Sequence, residues 1–292
     1  ITARVADAAG NLGPASVARS FTLDTTAPTA ASFSPLDGAV GVDPAANIRI
    51  NASEAIQRGT GKIVLRSGSA AGPIVESFDA ATSSRLSISG SALTIDPTSN
   101  LAPNTTYFLT LPAGSLRDTA GNPFAGSSTY DFRTTNVVSG GPANDILPFS
   151  ATVDRLTGLG GADTFRLTSL SHSLLPATSS TPIDRITDLV TGLDNIDAPV
   201  ARTLAQAVNP VALGSVAQLS SSAITALLTP ASFPALTTTS IGGAATFTFN
   251  DPTSGIRTFL AFNDGVAGFS AASDAIVEIT GVSGNLSQLQ VF

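Results

Sequence analysis

Between Gly140 and Phe165 an aspartate recurs at every ninth position, Asp145, Asp154 and Asp163, and a large apolar residue stands two places after each, Leu147, Leu156 and Phe165. A nine-residue period fits neither the alternation of a strand nor the 3.6 of a helix, so it describes a supersecondary unit whose copies stack on one another. The Gly-rich half of each unit makes a tight turn that needs positive φ and close main-chain approach. The three residues that follow make a short strand that buries the apolar side chain inside a flattened parallel roll. Successive turns fall on opposite edges, so turns eighteen residues apart share an edge. Gly140 and Gly158 are such a pair.

A hard cation between those two turns would take carboxylate oxygens from Asp145 and Asp163, and further oxygens from Asn144 and from the turns of Gly140, Gly141, Gly158, Gly160 and Gly161. All-oxygen ligation of that kind suits calcium, and the spacing offers one site. The departures count as well. Ala143 and Leu159 stand where the pattern has glycine, and the middle unit, Phe149 to Thr157, has no glycine, so the edge of Asp154 is expected to lack a site. Two readings stay open: one calcium ion bound at millimolar concentration, or a metal-free remnant covering the end of a sheet. The pattern resembles the RTX (hemolysin-type) nonapeptide repeats of secreted bacterial proteins, shrunk to one short roll.

A chain of 292 residues has room for two domains or a little more. It starts at Ile1, inside what reads as a strand, and is expected to be the C-terminal piece of something longer. Without cysteine there is no disulfide frame and no thiolate chemistry. Residues 1–135 carry 9 basic and 10 acidic groups, whereas 136–292 carry 5 and 11, a net of −6. That imbalance suits cations and argues against nucleic acid, which needs a basic face. No apolar run approaches the length of a transmembrane helix, and neither a signal nor a transit peptide is visible.

Two alternating runs, Ile1 to Ala6 and Val17 to Leu23, flank a Gly/Asn/Pro turn and predict a hairpin. This hairpin resembles the last two strands of a bacterial Ig-like domain, which implies a body lying upstream. Residues 24–29 read as an extended linker. Residues 30–134 read as one β-sandwich, with strands at Asn47–Ile50, Gly61–Leu65, Pro73–Phe78, Arg85–Ile88, Ala92–Ile95, Thr106–Leu111 and Thr129–Arg133. The opening Ser34-Pro35-Leu36-Asp37-Gly38-Ala39-Val40-Gly41-Val42, the Ser53-Glu54 pair, Leu93 to Pro97, Thr106-Tyr107 and Asp118 to Phe124 resemble the S-layer type (SbsA-like) bacterial Ig-like domain. The resemblance implies a spacer or cell-surface building block. Glu54, Asp118 and Asn122 also suggest a second metal site, but Asp and Asn around Gly121 are expected to serve a turn.

Residues 135–141 read as a Ser/Gly linker and 142–292 as the roll-like domain. After a loop that includes Thr178–Thr181, Asp184-Arg-Ile-Thr-Asp188 and Gly192-Leu-Asp194-Asn-Ile-Asp197 place Ile186, Leu189 and Ile196 inward and their carboxylates in turns. Short helices are predicted at Val216–Leu219, at Ser222–Leu228 behind Ser221, and at Pro230–Phe233, and strands at Ala244–Asn250 and Ile256–Phe262. From Gly158 to Phe292 the sequence resembles the bluetail domain, a C-terminal module of marine cyanobacterial proteins. That placement implies the C-terminal region of a type I secretion substrate.

Catalysis finds little support. His172, the lone histidine, sits in Ser-His-Ser without a Gly-x-Ser-x-Gly elbow and is expected to be a solvated loop residue, and zinc would need more ligands. Gly160-Gly161 lacks the lysine of a phosphate cradle. Phe247, Phe249, Phe259 and Phe262 suggest either a carbohydrate face or a core. The expectation is therefore a mainly β, non-enzymatic chain: an Ig-like β-sandwich plus a C-terminal β-roll-like domain with a few short helices. It would be extracellular or on the cell surface, in an adhesin or S-layer-like protein whose surface or matrix partner is unknown. Calcium would assist folding after export by type I machinery. The alternative is an export and positioning tail for an extracellular hydrolase encoded upstream.

Overall fold

The computed structural model describes residues 1–175, 182–199, 210–234 and 243–292, and they are built mainly of strands. The first eleven are β1 (Ala30–Ser34), β2 (Ala39–Val42), β3 (Ile48–Ala52), β4 (Ile56–Arg58), β5 (Lys62–Ser67), β6 (Ile74–Asp79), β7 (Leu86–Ser89), β8 (Ala92–Ile95), β9 (Thr106–Leu111), β10 (Leu116–Asp118) and β11 (Ser127–Thr134). They form one sheet in the order β1-β3-β8-β7, a second in the order β2-β11-β9-β5-β6, and a separate β10-β4 pair. Alternation sends Ile48, Ile50, Leu93 and Ile95 from the first sheet and Ile63, Leu65, Leu109 and Phe132 from the second into one core. Tyr107 and Tyr130 are buried with their hydroxyls satisfied, Tyr107 by the Ala102 N–H (2.7 Å) and Tyr130 by Pro35 O (2.9 Å). All seven expected strands are present. The four that the sequence did not suggest, β1, β2, β4 and β10, are short or lack clean alternation.

Residues 1–23 turn back as a hairpin, but as a loose one. Gly13 N–H donates to Val5 O (2.8 Å), Ser16 N–H to Ala3 O (2.8 Å) and Arg19 N–H to Ile1 O (2.9 Å), with a single bridge, Ala6 to Leu12, in place of two full strands. Among the described residues nothing covers either face, and Ile1, Val5, Leu12, Val17, Phe21 and Leu23 are exposed. The extended segment 24–29 is laid on the sandwich: Asn122 Nδ2 donates to Asp24 O (3.0 Å) and Thr26 O (3.3 Å), and Ser53 N–H donates to Thr29 O (2.9 Å).

The second half is a parallel roll. β12 (Asn136–Ser139), β14 (Asp154–Thr157) and β16 (Arg185–Ile186) run side by side, and so do β13 (Ile146–Pro148), β15 (Thr164–Arg166) and β17 (Asn195–Asp197). Their register stacks Val138, Leu156 and Ile186 in one column and Leu147, Phe165 and Ile196 in another. After an excursion through β18 (Val211–Val216), helix α1 (Ser221–Leu227), β19 (Ala244–Asp251) and β20 (Gly255–Phe262), a fourth rung closes with β21 (Ala275–Glu278) and β22 (Gln290–Val291). The roll therefore begins earlier than expected. Asn136–Ser139, read above as linker, is the first strand, because it lies eighteen residues before β14 and puts Val138 in the Leu156 column.

Beyond β21 the sheet of β12, β14 and β16 continues through β20, β19 and β18; β21 and the paired segments 244–247 and 259–262 are buried on both faces, whereas β18 is mostly exposed. Leu260, Phe262 and Val277 face the roll core, whereas Phe247, Phe259 and Ile276 share a second core with Ile224, Leu228 and Phe233. Phe247 and Phe259 are direct cross-strand partners with rings stacked 5.3 Å apart, so of the phenylalanines suspected of a carbohydrate face Phe247, Phe259 and Phe262 are core residues, and Phe249 is half-buried against the second core. Two of the three predicted helices are absent. Val216 ends a strand, where it pairs with Phe249, and Pro230–Phe233 is a turn that buries Phe233. The helix that does form is capped by Ser220 rather than Ser221, since three consecutive serines leave the cap open by one place. The loop at Thr178–Thr181 lies outside the described residues. Among those residues no helix is long and apolar enough to cross a membrane.

Candidate functional site

On the edge that carries Asp145 and Asp163, the turns of the first two rungs stack closely. Gly140 N–H donates to Thr157 O (2.8 Å), Gly160 N–H to Gly141 O (3.0 Å) and Ala162 N–H to Asn144 Oδ1 (2.8 Å). A Cβ on Gly140 would lie 2.6 Å from Gly158 O, one on Gly161 would lie 2.5 Å from Ala143 O, and one on Gly158 would strike the Asp163 carboxylate. Positive φ is needed only in the later turn, at Gly161 (+108°) and at Leu159 (+72°), the residue that replaces a glycine. In the first turn Gly140 is there for room, not for φ. Gly141 and Gly160 meet nothing closer than 3.6 Å.

The aspartates serve the main chain first. Asp145 Oδ2 accepts from Gly141 N–H (2.6 Å), Asp163 Oδ1 from Asp145 N–H (2.9 Å), and Asp194 from both Asp163 N–H (3.0 Å) and Val190 N–H (2.8 Å). The other edge repeats the device: Asp184 accepts from Asp154 N–H (2.7 Å) and from the Ser173 hydroxyl, and Asp154 accepts from Ser150 N–H (2.6 Å) and Asn136 Nδ2 (2.5 Å). Each carboxylate thus caps its own turn, receives the amide of its counterpart one rung away, or does both. N–H groups in turns this tight have no strand partner, and a carboxylate supplies one by a charge-assisted bond. The nine-residue period did not point to Asp188, which takes Gly158 N–H (2.9 Å) and Leu159 N–H (2.7 Å), or to Asp274, which takes Ser270 N–H (2.7 Å) and Asp264 N–H (2.8 Å).

These carboxylates do not stay in exposed turns. Asp154, Asp163, Asp184, Asp194 and Asp274 are buried. Burial pushes the Asp184 carboxyl up to about 7, against the Ser173 and Asp154 donors that favour its charge. It also raises Asp194 and Asp274 above the usual carboxylate range, only partly offset by their main-chain donors.

Among the described residues, Asp145 Oδ1 and Asp163 Oδ2 receive no donor. The strands that follow them are in direct register, Ile146 against Thr164, so the two carboxylates occupy equivalent places on neighbouring rungs. Together with the carbonyls of Gly140, Gly141, Gly158, Gly160 and Gly161 they match calcium in kind, and the ion would supply a link between turns. Asn144 and Gly141 fit that set less well, because the Asn144 amide oxygen is engaged by Ala162 N–H and the Gly141 carbonyl by Gly160 N–H.

Elsewhere, Asp24, Glu54 and Asp118 bring ligand atoms within 4.8 Å of one another. Of the suggested Glu54, Asp118 and Asn122, the two carboxylates belong to this cluster, and its third member, Asp24, is delivered by the docking of 24–29. Asn122 donates to Asp118 through N–H (2.8 Å) and Nδ2 (2.7 Å), as expected of a turn. Burial, and then the charges of Asp24 and Asp118, raise the Glu54 carboxyl. His172 differs from its expectation: it is half-buried in a 3-10 turn, Leu170–His172, and its Nδ1 is buried with no hydrogen-bond partner among the described residues. The Ser173 hydroxyl passes it over and donates directly to Asp184.

Residues 24–134 match the bacterial Ig-like domain family, in agreement with the two-sheet sandwich, and the match takes in the docked segment from Asp24. Domains of this kind are typical of surface and extracellular proteins. No curated protein matches the chain.

Proposed function

We propose that this chain is a non-catalytic part of a bacterial surface or secreted protein, of adhesin or S-layer-like type, in which the Ig-like domain is a spacer and the roll is a calcium-assisted domain suited to type I export. The observation that carries the proposal is the bacterial Ig-like domain at 24–134 followed directly by a parallel roll that holds Asp145 and Asp163 at equivalent places on neighbouring rungs. Calcium is scarce in the cytoplasm and millimolar outside. An ion that binds the folded form alone would leave the roll loose before export and add folding free energy afterwards. The RTX and bluetail resemblances noted above agree with this order of events.

The test is a calcium titration of the whole chain followed by circular dichroism and calorimetry. A rise in the melting midpoint at millimolar calcium is expected, and it should vanish in Asp145→Ala/Asp163→Ala. A midpoint indifferent to calcium, or one that responds equally in the double variant, leaves a hydrogen-bonded rim with no ion and removes the export mechanism.

A further inference from the structure

A parallel roll has two open ends, where the last strand of each sheet lacks a neighbour and the core column stops. In this chain the Ig-like domain stands on the first of those ends. Only Thr135 separates β11 from β12, and it is buried. Its N–H donates to Val42 O (2.8 Å), its hydroxyl to the same oxygen (3.2 Å), and its carbonyl accepts from Asn104 N–H (3.0 Å). The sandwich also touches the second rung. Gly41 sits so close to Val153 that a Cβ would lie 2.9 Å from its side chain, Arg155 reaches Asp43 (3.5 Å), and the Thr152 hydroxyl reaches Asn104 Oδ1 (3.4 Å). Val153 O in turn accepts Asn136 N–H (2.9 Å), which closes the first rung on the second at that point.

We propose that the Ig-like domain is the N-terminal cap of the roll, and that the two halves unfold as one cooperative unit instead of as beads joined by a linker. The seat is the Thr135 main chain bonded to Val42 and Asn104, with the side chains of Val153, Thr152 and Arg155 set against the sandwich beside it and a glycine at the closest approach, so sliding one half over the other would break these contacts. The proposal holds with or without an ion on the roll's edge, so its test is run in the presence of a chelator and is independent of the calcium reading.

The chain supplies its own reporter. Its two tyrosines, Tyr107 and Tyr130, both lie in the sandwich, and it has no tryptophan, so tyrosine emission follows the sandwich alone while far-ultraviolet circular dichroism follows the whole. In the full chain, Leu156→Ala hollows the roll core at a fully buried side chain. The tyrosine-reported midpoint is expected to fall by roughly 5–15 °C, together with the dichroism. Should that variant fail to fold, Ile196→Val asks the same question with a smaller cavity. A tyrosine midpoint that stays in place while the dichroism drops overturns the proposal. At the junction, Gly41→Val and Gly38→Val impose the same backbone strain (φ +67° and +69°), but only the first meets the roll. Gly41→Val should lower both signals further than Gly38→Val. Equal effects would remove the seat as the coupling element.

Discussion

Replacing Asp184 by asparagine should make the chain more stable at pH 8 than its parent, and progressively less so toward pH 5. Asp184 is 5 % exposed, and burial pushes its carboxyl from 3.8 up to about 7 despite the donors from Ser173 and Asp154; the nearby Asp154 charge adds to the rise. Between those two values the folded chain holds a proton that the unfolded chain has released. The contribution to stability is therefore whole below the unfolded value and is lost as pH climbs to the folded one. Each pH unit in that window removes about 1.4 kcal/mol, so the parent loses about 3 kcal/mol between pH 5 and pH 7 on this account. Asparagine has no proton to lose; its oxygen can still accept Asp154 N–H, and its amide can donate to the Ser173 hydroxyl oxygen. Thermal melts of both proteins at pH 5, 6, 7 and 8 should show the midpoint difference shifting in favour of the variant by roughly 6–12 °C across the series. All other titrating groups are common to the two proteins and cancel in the difference. Parallel curves, or a variant that loses ground as pH rises, would mean that Asp184 is already ionised in the folded chain at pH 5.

Two smaller perturbations test the packing argument. Gly161→Ala should cost about 2–4 kcal/mol in a denaturant titration, from positive φ and from the contact with Ala143 O combined, whereas Gly265→Ala, which meets nothing, should stay within about 0.5 kcal/mol. Arg257→Leu should destabilise by about 3–5 kcal/mol, because Glu278 is buried and the Arg257 guanidinium holds it at 2.5 Å; a double variant with Glu278→Leu should recover much of the loss.

How much of this was legible in the sequence depended on whether a period was present. The column of Leu147 and Phe165 and the column of Leu156 are read directly from spacing in nines, since each strand must bury a large side chain at the same phase. Val138 belongs to the Leu156 column but was missed, because the glycines that follow it resemble a flexible linker until one knows that they are a turn. Val216 was misread because a run of Val, Ala, Leu, Gly and Ser has no strong preference, and its strand exists only through pairing with β19. The cluster of Asp24 with Glu54 and Asp118 was beyond sequence reasoning. It depends on Asn122 binding the main chain of a segment about a hundred residues earlier.

The acidity of the second half also acquires a different meaning in three dimensions. Read as composition, eleven carboxylates against five basic groups suggest a surface that gathers cations. In the fold, six of the eleven, Asp154, Asp163, Asp184, Asp194, Asp274 and Glu278, are buried, and all but Glu278 accept main-chain N–H groups. A roll made of two- to four-residue strands is mostly turns, and turns have amides without ladder partners. A short acidic side chain at a fixed place in each unit is the economical acceptor for them. A repeated aspartate therefore follows from the architecture before any ligand is considered. The oxygens that can bear on metal binding are those the architecture leaves over, Asp145 Oδ1 and Asp163 Oδ2, and not the aspartate count.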